Sequence, residues 1–236
     1  MTTRTLAFIF ARGGSKGLPK KNILPIAGLP LLAHGIRIAK EMAEVERIYV
    51  STDCQEIADV ARQYDAEIIE RPMDLASDTA PEWLAWQHAI AVARQSTGEF
   101  DRFLSLPPTA PLRSTEDVRK CLDALQGSTD AVITMTSSQR SPWFNMVTAD
   151  HSNQVRLVGG DGEIRRRQDA PQCFDMTTLA YVARPAFVLR ASGIWEGNVV
   201  GVEVPRERSI DIDTALDLQI ARYLMEQHQS PGYCSV

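Results

Sequence analysis

Short apolar runs of strand length alternate with amphipathic stretches of helical period along most of this chain, and few folds accept that pattern. "LAFIFA" reads as a buried strand, and after a loop "PLLAHGIRIAKEMAE" carries apolar residues at helical spacing. "RIYVSTD", "AEIIERP", "DRFLSLPP" and "DAVITMT" read as further strands, separated by the helical runs "CQEIADVARQY", "APEWLAWQHAIAVARQ" and "STEDVRKCLDAL". In the last of these, Ser114 with Asp117 three residues on forms a near capping box. The alternation predicts an α/β fold built on a parallel, doubly wound sheet. It breaks between Ser137 and Phe174, where strand-like pieces, a "GGDG" turn and a basic triplet keep apolar and aromatic residues at intervals. That stretch, 137–174, reads as an extension inserted in a single domain of residues 1–236 rather than as a linker. The core pattern resumes with "TTLAYVARPAFVL", "NVVGVEVP" and the closing helix "ALDLQIARYLMEQHQ", and the tail "SPGYCSV" is expected to fray.

The loop after the first strand is unusual. "FARGGSKGLPKKN", Phe10 to Asn22, holds three glycines and four cations, Arg12, Lys16, Lys20 and Lys21, in a chain whose net charge is -5. An acidic chain argues against general nucleic-acid binding, which wants a basic face. A local cation cluster at the carboxyl end of a strand fits a small anion, because glycines let backbone N–H groups approach it and cations neutralise it. The string is neither GxxxxGK[ST] nor GxGxxG, so on glycine and charge alone a solvated basic turn stays open. Cys54, Cys121, Cys173 and Cys234 share no metal spacing and read as free thiols of a reducing compartment. No apolar run reaches the length of a membrane span, and the first residues lack a signal-peptide core, so a cytoplasmic protein without membrane contact is expected.

Several strings together carry more than the loop does. "ARGGSKGLPKKN", "YVSTD", "ERPMDLASDTA", "LPPTAPLRS" and "SIDIDTALDL" resemble, in order and nearly end to end, the motifs of the acylneuraminate cytidylyltransferases, which make CMP-sialic acids and related CMP-sugars. The resemblance implies a three-layer, Rossmann-like nucleotidyltransferase fold with a mostly parallel sheet. It also implies a homodimer, with a β-rich extension reaching the partner's site. The implied reaction joins CTP to a sugar acid: the anomeric hydroxyl attacks the α-phosphorus and pyrophosphate leaves, catalysed by positioning and charge neutralisation.

Carried over residue by residue, Arg12, Lys16 and Lys21 would act on the triphosphate, with Gly13, Gly14 and Ser15 beside it and Asn22 fixing the nucleotide. Arg71, Ser77, Asp78 and Thr79 match the segment near the cytidine, although Ser77 or Asp78 would equally serve as cap of the following helix. Arg167, Asp175 and Tyr181 fall at sugar-side positions. Asp211 and Asp213, at i and i+2, would share one face if extended and hold Mg²⁺ together with waters and substrate phosphates. Arg113 would contact ligand or pair with a helix carboxylate. His34, His88, His151 and His228 lack metal spacing and read as surface or capping residues, and Trp83 and Trp86 as facing the core or an interface.

The sugar side departs from the sialate pattern. Pro107 stands where a glutamine is usual, Glu82 where serine is common, Phe144 where lysine is found, and "FDMTT" (Phe174–Thr178) replaces an "FRPNG"-like string. A member that keeps CTP but takes a different α-keto sugar acid would look like this. Two other enzymes stay open, one for an eight-carbon keto-acid sugar and one for a sugar phosphate, as does a nucleotide binder without catalysis. Retention of Lys21, Asp211 and Asp213 speaks against the last. A nicotinamide site fails for want of GxGxxG.

Overall fold

Leu6, Ala7, Phe8 and Ile9 have no solvent contact, because strand β1 (Thr5–Phe10) is covered on both faces. The computed structural model describes residues 3–14, 17–160, 162, 164 and 166–229, and for 167, 228 and 229 the backbone alone. Ala7 and Ile9 face one apolar cluster, Leu6 and Phe8 another, as the period of a strand requires. The first cluster is roofed by α1 (Leu31–Lys40), α2 (Gln55–Gln63) and α4 (Thr115–Ala124). The second is roofed by α3 (Glu82–Thr97) and α5 (Pro185–Arg190). Three layers result, as expected.

Strands β4 (Val45–Thr52), β5 (Glu67–Glu70), β6 (Arg102–Ser105), β7 (Ala131–Ser137), β10 (Phe174–Ala183) and β11 (Val199–Glu203) complete a seven-stranded sheet in the order β11-β7-β10-β6-β1-β4-β5. Two small hairpins lie outside it, β2 (Pro25–Ile26) with β3 (Leu29–Pro30), and β8 (Val147–Ala149) with β9 (Val155–Leu157). The helix α6 (Ala215–Gln229) closes a third apolar cluster with Ile26, Leu31, Leu112 and Ile212.

The sheet is mostly parallel, as expected, and its exception is one strand: β10 runs antiparallel to both β6 and β7. A parallel neighbour needs a crossover connection, usually a helix. Among the described residues between β7 and β10 the chain offers only β8, β9 and a short 3₁₀ turn at Arg167–Asp169, and it returns alongside β7, with the Ser138 N–H donating to the Cys173 carbonyl at 3.0 Å.

Trp83 and Trp86 face the core as expected. The Trp86 ring lies 5.1 Å from Phe103 and 5.2 Å from Trp83, and the Trp83 indole donates to the Ala191 carbonyl at 2.7 Å. His34 corrects the surface expectation. It is buried, with Nε2 3.0 Å from the Ile26 carbonyl, tying the β2–β3 hairpin to α1, and burial holds its pKa below the ordinary value. Cys54, Cys121 and Cys173 are free thiols, and Cys234 lies outside the described residues. Among the described residues no helix is long and apolar enough to cross a membrane.

The capping box at α4 forms. The Asp117 N–H donates to Ser114 Oγ at 3.1 Å, and the Ser114 N–H donates back to Asp117 Oδ2 at 3.1 Å. Arg208 then clamps the same carboxylate at 2.7 and 2.8 Å, tying the approach to α6 onto α4. Burial pushes the Asp117 carboxyl up, but the Arg208 pair and the cap bonds outweigh it and hold the group below its usual range. With Arg208 25% exposed and Asp117 1% exposed, Asp117→Asn should destabilise by about 2–3 kcal/mol, under the range for fully buried pairs. Its folded-state value is depressed, so this stabilisation is present above about pH 4 and lost as pH falls through that value. Urea unfolding across pH 7 to 2 should show the parent losing stability in acid more steeply than the variant.

Candidate active site

All the parallel strands from β6 to β5 end at one edge of the sheet, and their carboxyl-end loops surround a cleft of about 460 Å³. Phe10 and Arg12 come from the end of β1, Arg71 from β5, and Pro107, Pro108 and Thr109 from β6. Thr178 and Tyr181 enter from β10, Glu82 from the first turn of α3, and Asp213 from the segment before α6. Close approach of that segment explains Gly17: a Cβ there would lie 2.3 Å from the Asp213 carbonyl oxygen.

Each described cation of the loop meets a carboxylate. Arg12 donates to Asp78 at 2.6 Å, Lys21 to Asp213 at 2.7 Å, and Lys20 to Glu56 at 2.9 Å. The buried Asn22 donates to the Arg12 carbonyl at 2.9 Å, so it fixes the loop itself. Arg71 is buried, donates to the Ser51 carbonyl at 2.8 Å and to Ser51 Oγ at 3.2 Å, and lies 5.6 Å over the Phe10 ring. Burial lowers its pKa, opposed by Asp53 and Glu82.

The structure therefore brings Arg12, Lys21, Asn22, Arg71, Ser77, Asp78, Tyr181 and Asp213 to one cleft. Thr79 is exposed and does not line it. The Gly13 N–H, expected to face an anion, donates instead to Asp53 Oδ1 at 2.9 Å. Gly14 lies outside the cleft lining, Asp175 is exposed on β10 beside Thr136, and the backbone of Arg167 opens the 3₁₀ turn. Ser15, Lys16 and Arg165 lie outside the described residues, as do the side chains of Arg167 and His228. The capping expectation for Ser77 and Asp78 is corrected. The N-cap of α3 is Pro81 without a side-chain cap, Ser77 Oγ donates to the Asp74 carbonyl at 3.2 Å, and Asp78 is turned to Arg12.

Asp211 and Asp213 lie on no strand, yet Ile210 and Ile212 between and before them join the apolar cluster under α6 while Asp213 reaches the cleft. Asp211 Oδ1 is buried without a hydrogen-bond donor among the described residues, the state of a carboxylate open to a cation. No group of three or more His, Cys, Asp or Glu that could hold a metal occurs among the described residues. With Asp213 lining the cleft and an Asp211 oxygen unpartnered, the two carboxylates would suit a hard divalent cation that takes its other oxygens from water and phosphate.

Among the cleft residues that the sequence reading does not assign to the site are Glu82 and Thr178. Part of Glu82's surface opens on the cleft, but protein crowds its carboxyl group and pushes its pKa up, against the opposing effects of the Trp86 indole at 3.2 Å and Arg71. Its sequence signs are its first-turn position four residues before Trp86 and its place where the resembling family commonly has serine. Tyr181 joins both the cleft and the aromatic core, 5.4 Å from Trp86, and burial, with Glu82 and Asp211 nearby, moves its hydroxyl up to about 12. Thr178 beside it gave no signal, since it sits in a run that reads as core strand. Among the described residues Arg113 pairs with no helix carboxylate, Asp117 being held by Arg208; it is buried, which brings its pKa down to about 9.

Against known proteins, residues 6–139 match the family model described as cytidylyltransferase. Post-translational flagellin modification protein B of Campylobacter coli is 32% identical, over 94% of this chain and 95% of its own length. CMP-N,N'-diacetyllegionaminic acid synthase of Campylobacter jejuni is 31% identical, over 93% of this chain and 94% of its own. Pseudaminic acid cytidylyltransferase of the same species is 28% identical, over 96% and 99%. Among solved structures, CMP:2-keto-3-deoxy-manno-octonic acid synthetase complexed with CTP shares the fold with a TM-score of 0.71 at 18% identity, covering 96% of this chain and 100% of that one. With a family model over more than half its length and relatives aligned nearly end to end, the chain belongs to the cytidylyltransferase family, as its likeness to the acylneuraminate enzymes implies.

Proposed function

We propose that the protein transfers CMP from CTP to the anomeric hydroxyl of a nonulosonic, sialic-acid-like α-keto sugar acid. The observation that carries this reading is the convergence of Arg12, Lys21 and Arg71 with Asp213 in a single cleft at the carboxyl edge of the sheet. The anomeric oxygen bonds to the α-phosphorus, the bond from that phosphorus to the bridging oxygen breaks, and pyrophosphate leaves with the charge. Arg12 and Lys21 exchange their carboxylate partners for phosphate oxygens, and Lys16 adds a third cation. Asp211 and Asp213 would hold Mg²⁺, which supplies charge neutralisation on the phosphates when bound. Asn22 keeps Arg12 in register, and Ser77 and Asp78 border the nucleotide. On the acceptor side Tyr181 and Thr178 face the sugar, while Arg167 answers its carboxylate and Asp175 flanks that region.

The names of the relatives favour a nine-carbon acid of the legionaminic or pseudaminic kind, and the altered sugar-side string "FDMTT" favours an acceptor other than N-acetylneuraminate. Pyrophosphate release should be measured with CTP and Mg²⁺ over a panel of these acids, N-acetylneuraminate and an eight-carbon keto acid. Turnover is expected with a nine-carbon acid; turnover with only the eight-carbon acid, or with none, contradicts the assignment. Lys21→Ala should lower kcat/KM by about 10²–10³ with an unchanged Tm, the loss of one preorganised charge donor.

A homodimer completes the proposal. Met146, Val147, Val155 and Val158 of the β8–β9 region and Met176 of β10 leave large apolar side chains in water, which a second copy would cover. Analytical ultracentrifugation should give a dimer, and Val155→Asp should shift it toward monomer; a monomeric parent protein contradicts this part.

A further inference from the structure

Arg113 is a buried cation for which the proposed reaction has no use. It is 4% exposed, its Nη2 donates to the Pro107 carbonyl, and its Nε and Nη1 have no partner among the described residues. The carboxylate that answers its charge is Asp211, whose Oδ1 is also buried and unpartnered. Arg113 and Asp211 form no ion pair among the described residues. Holding one carbonyl needs only a neutral donor, and an unpaired buried charge is expensive. A purely structural role therefore explains the hydrogen bond but not the charge.

Helix α1 independently makes room for it. A Cβ on Gly35 would lie 3.0 Å from Arg113 Nη1 and 3.5 Å from the Leu106 carbonyl oxygen. Glycine inside a helix costs about 1 kcal/mol relative to alanine, so α1 is less stable than it would be with alanine there, and the guanidinium occupies the space.

From Arg113 a short chain of contacts runs to the cleft. The guanidinium holds the Pro107 carbonyl, and the Pro107–Thr109 turn lines the cleft. The Thr109 carbonyl then accepts from the Ile212 N–H at 2.9 Å, between the two aspartates.

We propose that Arg113 is a positioning residue: from behind the cleft wall it sets the Pro107–Thr109 turn and, through it and through its charge, the place where Asp211 meets the cation that accompanies CTP. This rests on the proposed cytidylyl transfer. Groups that orient metal-binding side chains from behind are worth about 10–100-fold in metal affinity or activity.

The test uses the full chain and Mn²⁺ as the probe. CTP affinity is measured by calorimetry without and with Mn²⁺, and Mn²⁺ affinity by electron paramagnetic resonance, for the parent, Arg113→Met, Arg113→Lys and Gly35→Ala. Arg113→Met should keep metal-free CTP affinity within about threefold, yet weaken Mn²⁺ binding in the CTP complex at least about tenfold and lower kcat more than it raises KM. Arg113→Lys should recover part of the Mn²⁺ affinity. Should Arg113→Met fail to fold, Gly35→Ala, which displaces the guanidinium without removing it, should still weaken Mn²⁺ binding. Unchanged Mn²⁺ affinity in a folded variant, with a parent that turns over, overturns the role of Arg113 alone. A parent that binds no CTP overturns the proposed function and this inference with it.

Discussion

Two ion pairs span the cleft, Arg12 with Asp78 and Lys21 with Asp213, and they join three segments far apart in the chain. Without the first, Arg12 would act uncompensated on the buried Arg71, whose pKa its charge already lowers. Their strength is as informative as their presence. Asp213 has 68% of its side chain in water and Asp78 43%, so each pair contributes about 0–1 kcal/mol. Pairs that weak keep the cations pointed into the cleft and yield readily to a triphosphate, whose oxygens offer shorter, charge-assisted bonds.

The fold exists, in effect, to bring those segments together. Parallel strands send their carboxyl ends to one edge, so loops separated by some sixty to two hundred positions become neighbours. The antiparallel β10 is the exception that completes the cleft, since it carries Tyr181 and Thr178 in from the opposite direction. Tight contacts between loops then fix the details. Asn22 holds the Arg12 carbonyl, the glycine at 17 admits the Asp213 carbonyl, and Arg208 ties the approach to α6 to the capping box of α4.

Much of this was legible in the sequence where local pattern decides. The strand-helix alternation, the Ser114–Asp117 cap and the inward Trp83 and Trp86 depend on neighbours within a few residues. Arg12, Lys21, Asn22 and Arg71 were legible as a group because motifs, not single residues, carry them. What escaped depends on who arrives from elsewhere. His34 looks like any polar helix residue until the β2–β3 hairpin covers it, and Asp78 looks like a helix cap until Arg12 takes it. The Gly13 N–H was read as free because nothing nearby announces that Asp53, forty residues on, accepts from it. The direction of β10 was readable only from the missing helix between β7 and β10.

The most direct measurement is a crystal structure of the protein with CTP and a divalent cation. The expected result is a triphosphate bonded to Arg12 and Lys21, with Asp78 released from the first and Asp213 from the second. A nucleotide bound outside this cleft, or bound in it with both ion pairs intact, would contradict the view that those carboxylates hold the place of the phosphates.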